Sequence, residues 1–345
     1  MADDSHHRDV GVGTNKPTLK TIAELSGLAV PTVSRALNDA PDIGAKTKQK
    51  VRKIADEIGY VPNRAGVRLR TGRTNVVSLL LAPQSDRLIH MPQLISALAG
   101  GFRNTPYHMI VTPYFPDEDQ LKPIRYIVET GSADAIVLNQ IEPRDPRVAY
   151  LMEHNFPFVT HGRTIWQNDH PWFDFDNGAF AALGVSKLVE AGRKHILLIQ
   201  PPEGQNYGIE MFNGASQEAE RLGVSFQKLD GANSDDSNEL IIEALSRLLR
   251  SNPRIDGVVC GSTGSGMAAV AAFEAEGRVI GRDFDLVSKE AMPMLKLFRP
   301  EIIAIYEDVS RAGEFLSRAA IQAIRDPSEP SMQYLDVPGP SAVAS

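Results

Sequence analysis

The stretch Thr18-Leu-Lys-Thr-Ile-Ala-Glu-Leu-Ser-Gly-Leu-Ala-Val-Pro-Thr-Val-Ser-Arg-Ala-Leu-Asn38 contains two short helical patterns separated by a tight turn. Thr18 is a good N-cap, and apolar residues then recur at helical spacing until Gly27 ends the first helix. A second helix covers residues 30–37, with Pro31 in its first turn, where a missing N–H costs little. Two helices joined by such a turn predict a helix-turn-helix.

A third helical pattern completes a small all-α unit that we place at residues 18–63. Its apolar stripe recurs at helical spacing across residues 46–58, and Gly59 ends it. Residues 64–73 form a short basic segment, which we interpret as a hinge between this unit and the rest of the chain. The polar residues 1–17 are predicted to be a disordered tail.

Charge is distributed unevenly along the 345 residues. The chain carries a formal net charge of -7, yet residues 16–73 contain twelve Lys and Arg against five Asp and Glu, a local charge of +7. Contacts to phosphates supply most of the sequence-independent affinity for nucleic acid, so a basic end on an acidic body suits a protein that binds a polyanion at one end. Charge alone would fit a solvated basic face equally well. The helix-turn-helix makes DNA the favoured partner.

The remaining chain, residues 74–345, alternates apolar strands with amphipathic helices, which is typical of parallel sheets covered by helices on both faces. The strands fall into two runs divided near residues 172–176, so we predict an α/β body of two lobes with a cleft between them. We expect one lobe to contain residues 74–173 with 303–326, and the other to contain residues 174–302 with 327–340. The predicted strands cover residues 75–81, 109–113, 135–138, 158–160, 196–200, 225–229, 257–260 and 284–287.

The opening stretch, followed by Lys46-Thr47, Val51 and Gly59-Tyr-Val-Pro-Asn-Arg64, resembles the DNA-binding head of the LacI/GalR family of bacterial transcriptional regulators nearly position for position. The body is more loosely similar to the two-lobed sugar-binding fold that this family shares with periplasmic binding proteins. The resemblance implies a sequence-specific regulator, first of all a repressor of carbohydrate-use genes. It also implies a homodimer on a pseudo-palindromic double-stranded operator, modulated by a small-molecule effector that is a sugar or sugar derivative.

The second helix of the head is expected to enter the major groove, where Arg35 can make a bidentate contact to guanine. By resemblance, Arg64 begins a hinge in which Leu69 wedges into the minor groove. Gly66, where the family usually has Ala, weakens an isolated helix by roughly 1 kcal/mol and makes this hinge depend more on DNA. The predicted base-contacting residues are Val30, Pro31, Thr32, Ser34 and Arg35, and those predicted to position the head on phosphates are Thr18, Asn38, Thr47, Asn63, Lys46, Lys48 and Lys50.

For the effector, the resemblance places Arg163 and Asp176 at strand-end loops that face the cleft, although ordinary loop or interlobe roles fit them equally well. Met211 stands where the family commonly has Arg, so the pose of a typical effector does not carry over. The sequence also departs from the family at Thr263-Gly264 and at Ser288-Lys289-Glu290. The candidate effector-binding residues are Arg163, Asp176, Met211 and Glu290, with Lys289, Glu307 and Asp308 as further candidates.

The run Gly261-Ser-Thr-Gly-Ser-Gly266 lies between a predicted strand and a helix, as a phosphate-binding turn would. It lacks the Gly-Lys-Ser/Thr ending of a P-loop. An ordinary tight strand-to-helix turn is the favoured interpretation, and an anion site is the alternative.

Several protein classes fit the sequence less well. No stretch approaches the roughly 20 apolar residues of a membrane span, and the first residues lack the apolar core of a signal peptide, so we expect a cytoplasmic protein. Cys260 is the only cysteine. No nucleophile–base pair or metal-ligand spacing of recognised form occurs, and single histidines such as His161 and His195 are weak evidence, so we predict no enzyme activity, no cofactor and no metal site. A solute-binding protein, a nucleotide-dependent enzyme and an activator are the rival interpretations.

Overall fold

A computed structural model describes residues 16–61, 68, 72–82, 90–115 and 117–339. The chain divides after Thr74 into two compact units, a head and a body. Among the described residues, no helix is both long enough and apolar enough to cross a lipid bilayer.

The head contains three helices, α1 (Leu19–Ser26), α2 (Val30–Leu37) and α3 (Ala45–Glu57). Thr18 caps α1 through a reciprocal capping box with Thr21, and Gly27 ends it in the left-handed conformation at φ 71°. The helix-turn-helix is therefore confirmed. The side chains that hold it together are apolar residues from all three helices, namely Ile22, Ala23, Val33, Ala36, Val51 and Ala55.

The first lobe of the body is a six-stranded parallel sheet covered by helices on both faces. Its two apolar cores lie on opposite faces of the sheet, as expected for a doubly covered parallel sheet. The strand order is β11-β5-β4-β3-β1-β2. The elements are β1 (Val76–Leu81), α4 (His90–Gly101), β2 (His108–Pro113), α5 (Lys122–Thr130), β3 (Ala135–Leu138), α6 (Pro146–Glu153), β4 (Phe158–His161), β5 (Trp172–Phe175), α12 (Val309–Arg325) and β11 (Gln333–Asp336).

The second lobe repeats this design with a five-stranded parallel sheet in the order β10-β9-β8-β6-β7. The interior strands β6 and β8 are rich in apolar residues because both of their faces are buried. The elements are α7 (Asn177–Glu190), β6 (His195–Ile199), α8 (Asn206–Leu222), β7 (Ser225–Lys228), α9 (Asn238–Ser251), β8 (Gly257–Cys260), α10 (Thr263–Ala275), β9 (Asp285–Glu290), α11 (Leu295–Phe298) and β10 (Ile303–Tyr306).

The predicted composition of the lobes was wrong in its C-terminal part. Strand β10 pairs with β9 through Ile303 and Val287, so residues 303–306 belong to the second lobe. Strand β11 pairs with β5 through Gln333 and Trp172, so residues 333–336 belong to the first lobe. Three strands, β5, β10 and β11, were missing from the predicted set. The predicted strands β3 and β8 are equally short, so strand length does not explain these omissions.

Helices α7 and α8 pack so closely that a glycine is required at their contact. A Cβ atom on Gly214 would lie 2.2 Å from the carbonyl oxygen of Gly178. We therefore expect Gly214→Ala to lower the free energy of unfolding by about 1–3 kcal/mol, because the helices must separate. Urea denaturation followed by circular dichroism measures this loss. Gly204→Ala is the matched control, since nothing lies within 4 Å of a Cβ there, and an equal loss in both variants would contradict the explanation.

Candidate functional site

One face of α2 is available to a ligand while the opposite face forms the core of the head. Val30, Pro31, Arg35 and Asn38 are exposed, and Thr32 and Ser34 are half-buried. Val33 and Ala36, on the other side, are fully buried. The predicted base-contacting residues therefore share one accessible surface, the arrangement that a recognition helix needs in the major groove.

Arg35, the residue predicted to contact guanine, forms an exposed ion pair with Asp42 in the head. An exposed ion pair contributes about 0–1 kcal/mol. A bidentate contact to guanine is worth more, about 1–3 kcal/mol of discrimination. Arg35 can therefore exchange Asp42 for a base edge at little cost.

Most of the residues predicted to position the head on DNA phosphates lie at the ends of helices. The Thr18 hydroxyl accepts from the backbone N–H of Thr21, the Asn38 amide donates to the carbonyl of Ser34, and Thr47 is half-buried in the first turn of α3. The contact of each of these residues with phosphate stays a prediction. Asn63, Arg64 and Leu69 lie outside the described residues.

A cavity of about 300 Å³ lies between the two lobes of the body. This size is at the lower end of the range for small-molecule sites. Its walls come from loops that follow the carboxyl ends of strands in both sheets, where ligands bind in open α/β folds. The lining residues are His90, Met91, Asn139, Gln140, Ile141, His161, Gly162, Asp174, Phe175, Asn177, Asn206, Tyr207, Ser234, Asp235, Asn238, Gly261, Ser262, Thr263, Gly264, Met267, Lys289, Ala291 and Glu307.

The charged groups at one end of the cavity neutralise each other. The Lys289 ammonium lies 3.1 Å from Oε2 of Glu307 and donates to the Asn177 side-chain oxygen at 2.9 Å. Nε2 of His90 lies 3.4 Å from Oε1 of the same carboxylate. Glu307 is only 4% exposed, and its burial opposes the charged form. The nearby Lys289 and His90 outweigh that effect and hold the pKa of Glu307 well below its usual value.

A second group of charges joins the two lobes beside the cavity. Arg163, after β4, donates to Asp174 on β5 at 2.7 Å and makes two 2.8 Å contacts with the carboxylate of Glu210 on α8. Burial is the main cause that raises the pKa of Asp174 to about 7, and the negative charge of Glu210 adds to it, while Arg163 opposes both. Because Arg163 lies in the first lobe and Glu210 lies in the second, the contacts between their side chains link the two lobes.

Asn139 and Gln140 form part of the cavity wall, and a buried ion pair contacts their backbone. Arg147 is 1% exposed, and it pairs with Asp145, which is 0% exposed, at 2.7 Å. The same guanidinium donates to the backbone carbonyls of Asn139 and Gln140 at 3.1 and 2.9 Å. Gln140 has a left-handed φ of 53°, which residues other than glycine rarely adopt. The buried arginine thus fixes a strained turn in the wall.

None of the four predicted effector-binding residues lines the cavity. Arg163 links the lobes, and Asp176 caps α7 by accepting from the N–H of Ala179. Met211 is fully buried in the core of the second lobe. Glu290 is 2% exposed and accepts from the N–H groups of Met294 and Leu295 at the start of α11. The family resemblance pointed to residues that do not reach the wall, whereas Asp174, Asn177 and Lys289, close to three of them in the sequence, line the cavity.

The glycine-rich run 261–266 is a capped strand-to-helix turn. Ser262 caps α10 in a reciprocal capping box with Ser265. A Cβ on Gly266 would lie 2.6 Å from Oγ of Ser288, so this glycine serves close packing. The favoured interpretation of the sequence agrees with this geometry, and the turn contributes to the cavity through Gly261, Ser262, Thr263 and Gly264.

Sequence reasoning missed the amides of the cavity, Asn139, Gln140, Asn177, Asn206 and Asn238. Each follows an apolar strand within a few residues or begins the next helix. Polar residues at the carboxyl ends of parallel strands were the available signal, since such loops face the cleft. Lys289 and Glu307 were recognised as further candidates, and both line the cavity. Asp308, the third, caps α12 by accepting from Ser310 and Arg311.

The raised pKa of Asp174 predicts a pH-dependent effect of Asp174→Asn on stability. A folded-state pKa near 7, above the ordinary 3.8, means that the stability contributed by Asp174 is complete below pH 3.8 and is lost as the pH rises towards 7. The Asn variant lacks this titration. Its free energy of unfolding relative to the unmodified protein should therefore rise from pH 5 to pH 7.5, as measured by urea denaturation. Asp230→Asn, at an exposed carboxyl, is the control. A relative stability that stays flat at Asp174 would contradict the prediction.

Comparison with known proteins agrees with both parts of the chain. Residues 18–63 match the family described as "Bacterial regulatory proteins, lacI family". Residues 91–305 match "Periplasmic binding proteins and sugar binding domain of LacI family". The HTH-type transcriptional regulator AglR of Rhizobium meliloti (strain 1021) is 33% identical over 283 residues, which cover 81% of this chain and 79% of that protein. RafR of Escherichia coli is 27% identical over 93% of this chain and 96% of that protein.

Solved structures show the same fold. The lac repressor dimer bound to operator and the anti-inducer ONPF has a TM-score of 0.78 at 18% identity, over 94% of this chain and 97% of that chain. The complex of the transcriptional regulator CelR with cellobiose has a TM-score of 0.69 at 20% identity, over 94% and 98%. With a helix-turn-helix head, a two-lobed body and both family matches in place, the chain belongs to the LacI family of DNA-binding transcriptional regulators.

Proposed function

We propose that this regulator controls carbohydrate-use genes and that its effector is an uncharged sugar bound in the interlobe cavity. The observation that carries the proposal is that the charged groups of the cavity already have partners within the protein. Lys289 is paired with Glu307 and Asp174 with Arg163, and Asp235 accepts a hydrogen bond from the Tyr207 hydroxyl at 3.0 Å. A charged effector would have to break one of these pairs, whereas neutral hydroxyl groups need only hydrogen-bonding partners.

Amide groups on the cavity wall offer such partners. Asn139 is 4% exposed, and among the described residues no group donates a hydrogen bond to its Oδ1. A buried polar atom without a partner costs about 1–3 kcal/mol, and a ligand hydroxyl that donates to Oδ1 would recover that energy. Met91, Ile141 and Met267 supply apolar surface to the C–H groups of a sugar ring. The solved relative that binds cellobiose supports a sugar as the class of effector.

The proposed mechanism uses the links between lobes. Binding in the cleft changes the angle between the lobes, which strains or relaxes the Arg163–Glu210 contact and moves the chain ends that carry the head. Two heads of a homodimer would contact the two halves of a pseudo-palindromic operator. The body would bind its effector without chemical turnover, and the protein would act in the cytoplasm, where bacterial chromosomal DNA lies.

Fluorescence anisotropy of the full chain on DNA from its own upstream region tests the proposal. We expect tight binding that exceeds binding to scrambled DNA and weakens at higher salt. One neutral sugar from a panel that includes cellobiose and other mono- and disaccharides should shift the affinity at least about 5-fold, the lower end of usual allosteric coupling. A response only to sugar phosphates or uronic acids would contradict the neutral effector, and binding no better than to scrambled DNA would contradict the regulator.

The position of the operator decides between repression and activation. An operator that overlaps a promoter, together with transcription that rises when the sugar is added, supports a repressor released by an inducer. An operator upstream of the promoter, with transcription that falls in the absence of the protein, would support an activator.

A further inference from the structure

The fold brings two histidines and a glutamate together at one wall of the cavity. His90 begins α4, His161 ends β4, and Glu307 follows β10. One ligand atom from each of the three side chains lies within 4.8 Å of the other two. We propose that these residues form a binding site for a divalent transition metal ion, with Zn²⁺ as the best-matched ion.

The residue types fit such an ion. Two imidazoles and one carboxylate are a common set of protein ligands for Zn²⁺ when a fourth position stays open. Tetrahedral bonds of about 2.0–2.1 Å place neighbouring ligand atoms about 3.3–3.4 Å apart. Nε2 of His90 lies 3.4 Å from Oε1 of Glu307, which matches that spacing for one of the three ligand pairs. A charge-assisted hydrogen bond between the same atoms would be shorter, about 2.7–2.9 Å.

The neighbours of Glu307 support this role. Lys289 contacts Oε2 at 3.1 Å, while Oε1 lies 3.4 Å from Nε2 of His90. Carboxylates that bind metals are usually held by an outer hydrogen bond of this kind, which fixes the ligating oxygen. Lys289 is itself oriented by the Asn177 side-chain oxygen at 2.9 Å. Lys289 thus positions the carboxylate through Oε2, and Oε1 is the oxygen that would bind the metal.

The open position of the proposed site faces the cavity, because all three residues line it. Water or an effector hydroxyl would complete the coordination there. The ion would also join the segment after β10, where the chain leaves the second lobe, to two elements of the first lobe. Metal binding would therefore affect the region in which the lobes are connected.

Isothermal titration of the full chain with ZnCl₂, after treatment with a chelator, tests the site. His6 and His7 are replaced by Ala in every sample, because an adjacent histidine pair can bind metal. We expect one Zn²⁺ per chain, and Co²⁺ in its place should give the visible absorption of a four-coordinate ion. No binding, or binding unchanged by the substitutions below, would overturn the proposal.

Two variants and one control locate the ion. His161→Gln and Glu307→Gln should each weaken Zn²⁺ binding by at least about 100-fold, more than the loss of an outer-shell partner. His108→Gln, an exposed histidine on β2, should leave the binding unchanged. Circular dichroism verifies that each variant is folded. The titration contains neither sugar nor DNA. A chain that binds no Zn²⁺ can therefore still respond to a sugar, and a chain that responds to no sugar can still bind Zn²⁺.

Discussion

Asp145→Ala is expected to lower the free energy of unfolding of the body by about 3–5 kcal/mol, because it leaves the guanidinium of Arg147 buried without a counter-charge. Both side chains are at most 1% exposed, so water cannot replace the lost carboxylate. The substitution also removes the N-cap of α6, where Asp145 accepts from the N–H of Arg147. Native domains are stable by only about 5–15 kcal/mol, so the loss is a large fraction of the total. Urea denaturation measures it.

A double variant separates the ion pair from its surroundings. Asp145→Ala combined with Arg147→Met removes both charges, and we expect it to be more stable than Asp145→Ala alone. Glu118→Ala is the matched control on an exposed pair with Lys122, and it should change stability by at most about 1 kcal/mol. Equal losses at Asp145 and Glu118 would show that burial of the pair does not determine its contribution.

The Arg147 substitution should also affect the effector site. Arg147 holds the carbonyls of Asn139 and Gln140, the turn that forms one wall of the cavity. Arg147→Met, studied at a temperature where it is folded, is therefore expected to weaken effector binding although Arg147 does not line the cavity. Calorimetric titration with the identified sugar measures this change. An unaltered affinity would indicate that the turn keeps its shape without the arginine.

Arg35→Ala is expected to weaken binding to the operator by about 1–3 kcal/mol for each head, roughly 5–150-fold per half-site. A dimer with two heads would lose about twice that free energy. The head should remain folded, because the side chain is 57% exposed and its pair with Asp42 lies at the surface. Anisotropy on operator and scrambled DNA measures the effect, and selection from random DNA should show relaxed preference at one guanine position.

Lys46→Ala is the comparison that distinguishes base recognition from phosphate contact. Lys46 is exposed in the first turn of α3, outside α2. Its loss should weaken binding to operator and scrambled DNA alike and reduce the salt dependence by about one phosphate contact per head. If Arg35→Ala weakened both DNAs equally, Arg35 would be a phosphate contact and the predicted role in recognition would be wrong.

The head could be predicted almost completely from the sequence. Its caps, turn and apolar stripes lie within residues 18–58, and each helix is determined by signals a few residues apart. The same local signals predicted most strands of the body and its two parallel sheets. They failed for β5, β10 and β11, and strand length is not the reason, because the equally short β3 and β8 were predicted.

The cavity could not be predicted in the same way. The candidates Arg163, Asp176, Met211 and Glu290 came from the family pattern, and the fold uses them for an interlobe link, a helix cap, a core contact and a loop anchor. A shift of one residue along a strand or at its end exchanges a buried side chain for one that faces the cleft. The wall residues are therefore decided by strand register and helix capping.

The sequence by itself determined that this chain has a basic helix-turn-helix head and an α/β body, because helical and strand periodicity and the charge distribution are local properties. Only the tertiary structure decided which strands share a lobe, which charges neutralise each other and which residues line the cavity. His90 and Glu307 are 217 residues apart in the sequence and 3.4 Å apart in the fold. No periodicity or spacing connects such residues, since their proximity arises from the order in which parallel strands pair and from the crossings between lobes.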